Sequence, residues 1–264
     1  MVNQVTLYKQ LLKWIAPPFH NQEMYQHLFL FKDGVAATNT HQAIFVPQVN
    51  LNSHMETAKG ELWNPGTGII PQIDKNNGCN TLEEYLDEII RHKFDKIRPN
   101  KDDILWSGSI SSDCFAEWKS TLALIQRLSR KKTRSGTETT MILAKEGSNL
   151  VAYVSKNQYC QAKFYLYTAL NTPTDEPDIQ WHGAFKVDYF CNVVDFAMEI
   201  GAPSITWSIT TDECPLMMSE FQGIWSVCTY TRCFEEWGLD QFYEWANIPI
   251  CSPIMEESKD GSSS

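Results

Sequence analysis

The sequence predicts an α+β protein built on a loosely repeated unit, an amphipathic helix followed by short antiparallel strands. Three observations carry this. Apolar residues recur at helical spacing near residues 5–15, 82–94, 114–130 and 186–200. Short apolar or alternating runs, separated by turn residues, follow three of those four stretches. Hydrophobic residues are 43% and charged residues 20% of the 264, a composition that can bury a core and excludes a disordered chain.

The first helix is expected at Val5–Ile15, with Val5, Tyr8, Leu12 and Ile15 as its apolar stripe and Lys9 and Lys13 on its wet side at i,i+4. Strands are expected at 27–31, 35–38 and 43–46, with Asp33-Gly34 as a hairpin turn. The second helix, 82–94, follows a possible cap at Asn80-Thr81. It carries Glu83, Glu84, Asp87 and Glu88 early and Arg91, His92 and Lys93 late, as the helix dipole favours. No clear strands follow it. A boundary near Trp106 then divides the chain into two similar halves, 1–106 and 107–232.

The third helix, 114–130, has Phe115, Trp118, Leu122, Ile125 and Leu128 as its stripe, and strands at 139–144, 150–155 and 161–168 follow. The fourth, 186–200, buries Tyr189, Val193, Phe196 or Ala197, and Ile200, and strands follow at 204–210, 216–219 and 224–230. Residues 233–264 form an extra segment. Phe234, Trp237, Phe242 and Trp245 sit near helical spacing, Pro249 and Pro253 stop regular structure, and a polar tail ends it.

Charge is unevenly spread. The net −10 argues against a generic phosphate binder, but residues 91–134 hold eleven basic and five acidic residues. Lys119, Arg127 and Arg130 lie on the side of the third helix opposite its apolar stripe, and Lys131, Lys132 and Arg134 continue the run. Such a face suits sequence-independent contact with nucleic-acid phosphates. The plainer reading is a solvated face followed by a basic loop. The fourth helix presents Asp188, Asn192, Asp195 and Glu199 opposite its own stripe, which would repel phosphate.

Other classes find less support. There is no HExxH, P-loop or GxSxG pattern, and the neighbouring carboxylates Asp102-Asp103 and Glu83-Glu84 read as solvated charge, so no catalytic residue is nominated. The eight cysteines never form a CxxC pair and no matching histidines lie nearby, so neither a metal site nor a cofactor is expected. With no signal sequence at Met1-Val2-Asn3-Gln4, they read as reduced thiols of an intracellular protein. No apolar run reaches about 18 residues, so no membrane span is expected.

Three stretches resemble DNA polymerase sliding clamps, the bacterial beta clamp and the two-domain proliferating cell nuclear antigen type. Val35-Ala36-Ala37-Thr38-Asn39-Thr40-His41-Gln42-Ala43, ending in Val46-Pro47, is similar to the Ala-Thr-Asp-Gly-His-Arg strand-turn-strand of beta clamps. Phe185-Lys186-Val187-Asp188-Tyr189-Phe190 resembles the helix entry of a clamp's last domain. Pro215 to Arg232 resembles its final strands. The resemblance touches most of residues 1–232, and residues 1–106 and 107–232 then correspond to a clamp's middle and last domains.

It implies the clamp fold and no enzymatic activity. It also implies a ring that encircles double-stranded DNA, closed as a homotrimer because two domains per chain must make six. The protein would work on DNA with a DNA polymerase and a clamp loader. DNA-facing residues would be Lys9, Lys13, Lys119, Arg127, Arg130, Lys131, Lys132 and Arg134. A hydrophobic pocket for partner peptides would use Thr38, Thr40, His41, Thr229, Tyr230 and Thr231.

The motifs depart from the family: Thr40 replaces its Gly, Gln42 its Arg, and Thr229 and Thr231 stand where methionines would be. That divergence fits a phage or mobile-element origin. With the acidic fourth helix and the extra C-terminal segment, it also keeps open an alternative, a clamp-fold adaptor or inhibitor that forms no DNA-encircling ring.

Overall fold

A computed structural model of the chain describes residues 4–16, 23–31, 33–47, 62–63, 90–133, 136–146, 149–157, 160–166, 169–170, 182–210 and 216–229. All lie in one unit, residues 1–231; residues 232–264 form a second unit, and the helix expected at 234–245 lies outside the described residues.

The described helices are α1 (Gln4–Leu11, continued by a 3-10 turn over Leu12–Trp14), α2 (Arg91–Ile97), α3 (Phe115–Ser129) and α4 (Val187–Ile200). In chain order the strands are β1 (Leu28–Phe31), β2 (Gly34–Thr38), β3 (Gln42–Pro47), β4 (Leu62–Trp63), β5 (Ile104–Ser111), β6 (Arg130–Thr133) and β7 (Gly136–Glu146). They continue as β8 (Asn149–Asn157), β9 (Cys160–Leu166), β10 (Ala169–Leu170), β11 (His182–Lys186), β12 (Ser204–Thr210), β13 (Leu216–Phe221) and β14 (Ile224–Thr229).

One sheet runs β10-β5-β12-β13-β14-β3-β2-β1-β4, the other β11-β7-β8-β9 with β6 beside β7, and every pairing is antiparallel. The β14–β3 pairing, Trp225 opposite Phe45 and Cys228 opposite Gln42, carries the first sheet without a break from residues 204–229 into 28–47.

Strand alternation sorts the side chains of this sheet between two cores. Leu28, Leu30, Val35, Ala37, Ile44, Trp106, Ile205, Trp207 and Met217 face one core, shared with α1, α3, α4 and the inner face of the second sheet. Phe29, Phe31, Ala36, Phe45, Met218, Trp225 and Val227 face the other, which α2 covers with Phe94. Ring contacts fix both. Trp207 stacks on Trp118 of α3 at 5.8 Å and on Phe190 of α4 at 5.0 Å. Phe94 meets Phe29 and Phe31 edge-on at 5.6 and 5.9 Å. On the same face, Arg91 lies 4.0 Å over the Phe45 ring and pairs with Asp33 at 2.9 Å, so its charge stays satisfied above an apolar platform.

Several expectations need correction. Along α1 and its 3-10 turn Leu7, Leu11 and Trp14 are buried, whereas the expected Leu12 and Ile15 are only half-buried; the side chains of Val5 and Tyr8 lie outside the described ones. In α3, Ser129 rather than Leu128 closes the buried face. The second expected helix is followed by a strand, β5, and Trp106 lies inside it. Its small residues, Ser107, Gly108 and Ser109, dilute an alternation in which Trp106, Gly108 and Ile110 point inward. The basic run 130–133 is strand β6, not loop. Of the second expected helix only Ile90 onward is described, and it continues to Ile97. The α4 helix stops at Gly201, whose left-handed φ of 68° lets its N–H reach Met198 O while Ala202 N–H reaches Ala197 O.

Candidate functional site

The helices bury one side in the core and leave the other free, and α4 packs against both α1 and α3. The α3 and α4 helices run antiparallel: Lys119 meets Asp195 near one end and Gln126 meets Asp188 near the other, seven residues on. Two turns separate each pair, so both contacts lie on the same α3–α4 seam. From the other flank, Lys13 in the 3-10 turn reaches Asp195 as well.

Asp195 is the hub of this face. Its Oδ2 accepts from Lys13 Nζ at 3.1 Å and its Oδ1 from Lys119 Nζ at 2.7 Å, one lysine to each oxygen. Burial alone would push its carboxyl up, but hydrogen bonds from Lys119 and Lys13, with their charges, outweigh that and hold it below its ordinary value. The hydrogen bond to Asp195 holds the Lys119 ammonium above its own ordinary value, against a smaller desolvation cost. Asp188 accepts from Gln126 Nε2 and, at 3.0 Å, from Thr139 Oγ1 of β7. Between these carboxylates Cys191 is pushed up to about 12, first by burial and then by Asp188 and Asp195. It is a half-buried thiol whose thiolate form is disfavoured at neutral pH.

The acidic stripe of α4 is therefore not a bare negative surface. Asp188 and Asp195 are tied into the neighbouring elements, while Asn192 is half-buried and Glu199 exposed. The nominated cations divide accordingly. Lys9, Arg127 and Arg130 are exposed and form no ion pair among the described residues. Lys13 and Lys119 are exposed but spoken for by Asp195. Lys131 and Lys132 sit on β6 opposite Glu138 and Thr137. Arg134 lies outside the described residues. Sequence reasoning missed the role of Asp195, although a signal existed: Asp188 and Asp195 repeat at the same seven-residue interval as Lys119 and Gln126.

The second nominated site gathers at the β2–β3 turn. Thr38 is buried; its Oγ1 donates to Gln42 O at 2.7 Å and accepts from Thr40 N at 3.1 Å. Asn39 Oδ1 accepts from His41 N at 3.1 Å and Gln42 N at 3.0 Å. These bonds hold Thr40 at a φ of 76°, a left-handed conformation rare for a β-branched residue. The His41 carbonyl then accepts from Thr229 N at 2.9 Å and Thr229 Oγ1 at 3.2 Å, so β14 is anchored to the turn. Gln42 Nε2 donates to Lys13 O at 3.1 Å, which anchors the end of the first helix to the same place. Thr38, Thr40, His41 and Thr229 are thus brought together, with Thr40 and His41 exposed; Tyr230 and Thr231 lie outside the described residues.

Among the described residues no group of histidine, cysteine or acidic side chains could hold a metal ion, and no helix is long and apolar enough to cross a membrane.

No known protein family matches the sequence. No curated protein matches it either. Solved structures do. The chain aligns with the DNA polymerase III beta chain of Streptococcus pneumoniae at a TM-score of 0.54 and 11% identity, over 88% of this chain and 64% of that one. The Helicobacter pylori beta clamp bound to a DNA ligase peptide gives 0.52 and 13%, over 87% and 64%. The Bartonella birtlesii sliding clamp bound to griselimycin gives 0.53 and 12%, over 86% and 64%. The chain has the sliding-clamp fold and spans about 64% of the length of these clamps.

Proposed function

We propose that this chain is a DNA polymerase processivity factor, a sliding clamp that closes as a ring around duplex DNA and tethers its partners. The observation that carries the reading is the clamp fold over nearly the whole described chain. On this reading, residues 1–106 and 107–232 act as two clamp-type domains and three chains supply the six that close a ring. Sliding requires contacts that read phosphate and not sequence. The free side of α1, α4 and α3, with Lys9, Arg127 and Arg130 exposed, is the surface that supports this. The reading counts Lys131, Lys132 and Arg134, which follow in the sequence, among the phosphate contacts. The reading assigns no catalytic residue and needs no cofactor.

Polymerase, clamp loader and other partners would dock by short peptides at the β2–β3 turn, where Thr38, Thr40 and His41 meet Thr229, with Tyr230 and Thr231 beyond. The Helicobacter pylori clamp binds a DNA ligase peptide, and the turn here offers exposed His41 and Thr40 for an equivalent contact.

The adaptor reading draws on one observation, that Asp195 compensates two of the nominated cations and leaves the helix face poor in free positive charge. Polymerase extension on primed circular DNA separates the two readings. A clamp lengthens the products when loaded; an adaptor leaves them unchanged or shortens them.

A further inference from the structure

We propose that Asp195 is an attenuator of DNA affinity: it holds Lys13 and Lys119 as internal counter-ions and keeps them from phosphate. The inference rests on the proposed DNA-facing role of the helix face. The geometry is specific. Each carboxylate oxygen takes one ammonium, at 3.1 and 2.7 Å, and the two lysines come from elements on opposite flanks of α4. Asp195 is the more buried member, with its side chain 26% exposed against 37% for Lys13 and 57% for Lys119. The lysines can therefore be reached from solvent while their partner stays recessed. Ion pairs at this exposure are weak, so duplex phosphates can compete for these lysines but must displace Asp195 to win them.

For a sliding protein this has a consequence. Every lysine that neutralises a phosphate adds to affinity and to salt dependence. A counter-ion built into the face lowers the number of phosphates engaged without removing the cations. The ring's contact with DNA stays loose, and the same lysines join α1 to α4 and α3 to α4. Asp195 acts here through Lys13 and Lys119 and is a positioning residue.

The test is anisotropy of a fluorescent linear DNA duplex, titrated with full-length protein across a salt series. Wild type is compared with Asp195→Asn, Lys13→Gln/Lys119→Gln, the triple variant and Arg127→Glu/Arg130→Glu, with thermal melting to confirm that each is folded. Freeing two cations in Asp195→Asn steepens the dependence of log affinity on log salt by about 1.8, so this variant loses about twelvefold more affinity than wild type between about 50 and 200 mM salt. It binds tighter than wild type at the low end.

In the Lys13→Gln/Lys119→Gln background the same substitution leaves the slope unchanged, which separates release of the lysines from a mere change of net charge. An unchanged slope in Asp195→Asn, with binding lost in Arg127→Glu/Arg130→Glu, overturns the attenuator and leaves the DNA-facing reading standing. Absence of duplex binding in every variant at low salt overturns that reading and the attenuator with it.

Discussion

Replacing Thr40 by glycine should stabilise the protein. Thr40 is held at a φ of 76° by hydrogen bonds in which its own N–H donates to Thr38 Oγ1 and the N–H groups of His41 and Gln42 donate to Asn39 Oδ1. Its side chain is exposed and makes no hydrogen bond among the described residues, so glycine keeps every bond that shapes the turn. A left-handed conformation costs an L-residue about 1–2 kcal/mol. Glycine removes that cost but adds chain entropy to the unfolded state, worth about 0.5–1 kcal/mol. The difference favours Thr40→Gly by about 0–1.5 kcal/mol, with a midpoint of about 0.75 kcal/mol that at this chain size raises the melting temperature by about 2–3 °C. The assay is urea denaturation followed by tryptophan fluorescence, with Asn39→Ala as the contrasting variant, because it removes the acceptor for two turn N–H groups and must destabilise. A Thr40→Gly protein less stable than wild type would refute the reasoning and mean that the threonine side chain contributes contacts that outweigh the strain.

Trp207→Ala removes a ring stacked between Trp118 and Phe190 and should cost about 3–5 kcal/mol in chemical denaturation, the range of large core truncations; a loss under 1 kcal/mol would mean this stack is not core. Asp195 is held below its ordinary carboxylate value, so its contribution is full above about pH 3.9 and is lost as pH falls through the lower folded value. Lys119 is held above its ordinary value, so its share of the pair is full below about pH 10.4 and is lost as pH rises past the raised folded value. Melting curves against pH should therefore show Asp195→Asn and wild type differing at neutral pH and converging as the pH falls through the lowered folded value of Asp195, and parallel curves would contradict this. Cys191, half-buried and pushed up to about 12, should react more slowly with an alkylating agent at pH 8 in the folded protein than once unfolded; equal rates in the two states would contradict the shift. His41→Ala should weaken binding of a polymerase C-terminal peptide by about 1 kcal/mol or more in calorimetry, and unchanged affinity would remove His41 from the pocket.

The sequence carried the helix–strand order well because period is a local signal. The α3 and α4 helices lie within a residue of the spans their stripes predict, and the strands of the β1–β2–β3 run do likewise. What local pattern could not carry was pairing. Joining β14 to β3 brings Thr229 to the His41 carbonyl across 188 residues; the resemblance had set both residues in one expected pocket, but neither it nor periodicity gave this contact. The acidic stripe of α4 was visible but its meaning was not. A carboxylate's partners depend on which helix lies beside it, and Asp195 draws one lysine from residue 13 and another from residue 119. Strand β5 was hidden for a different reason: Ser107, Gly108 and Ser109 fit a pleated surface by being small, and small residues leave little hydrophobic trace.

The central claim is a ring, and the mass of the protein in solution tests it most directly. Light scattering coupled to size exclusion at micromolar concentration should give three times the chain mass, stable to moderate salt. A species of single-chain mass across that range would contradict the ring and leave the chain as a clamp-fold adaptor.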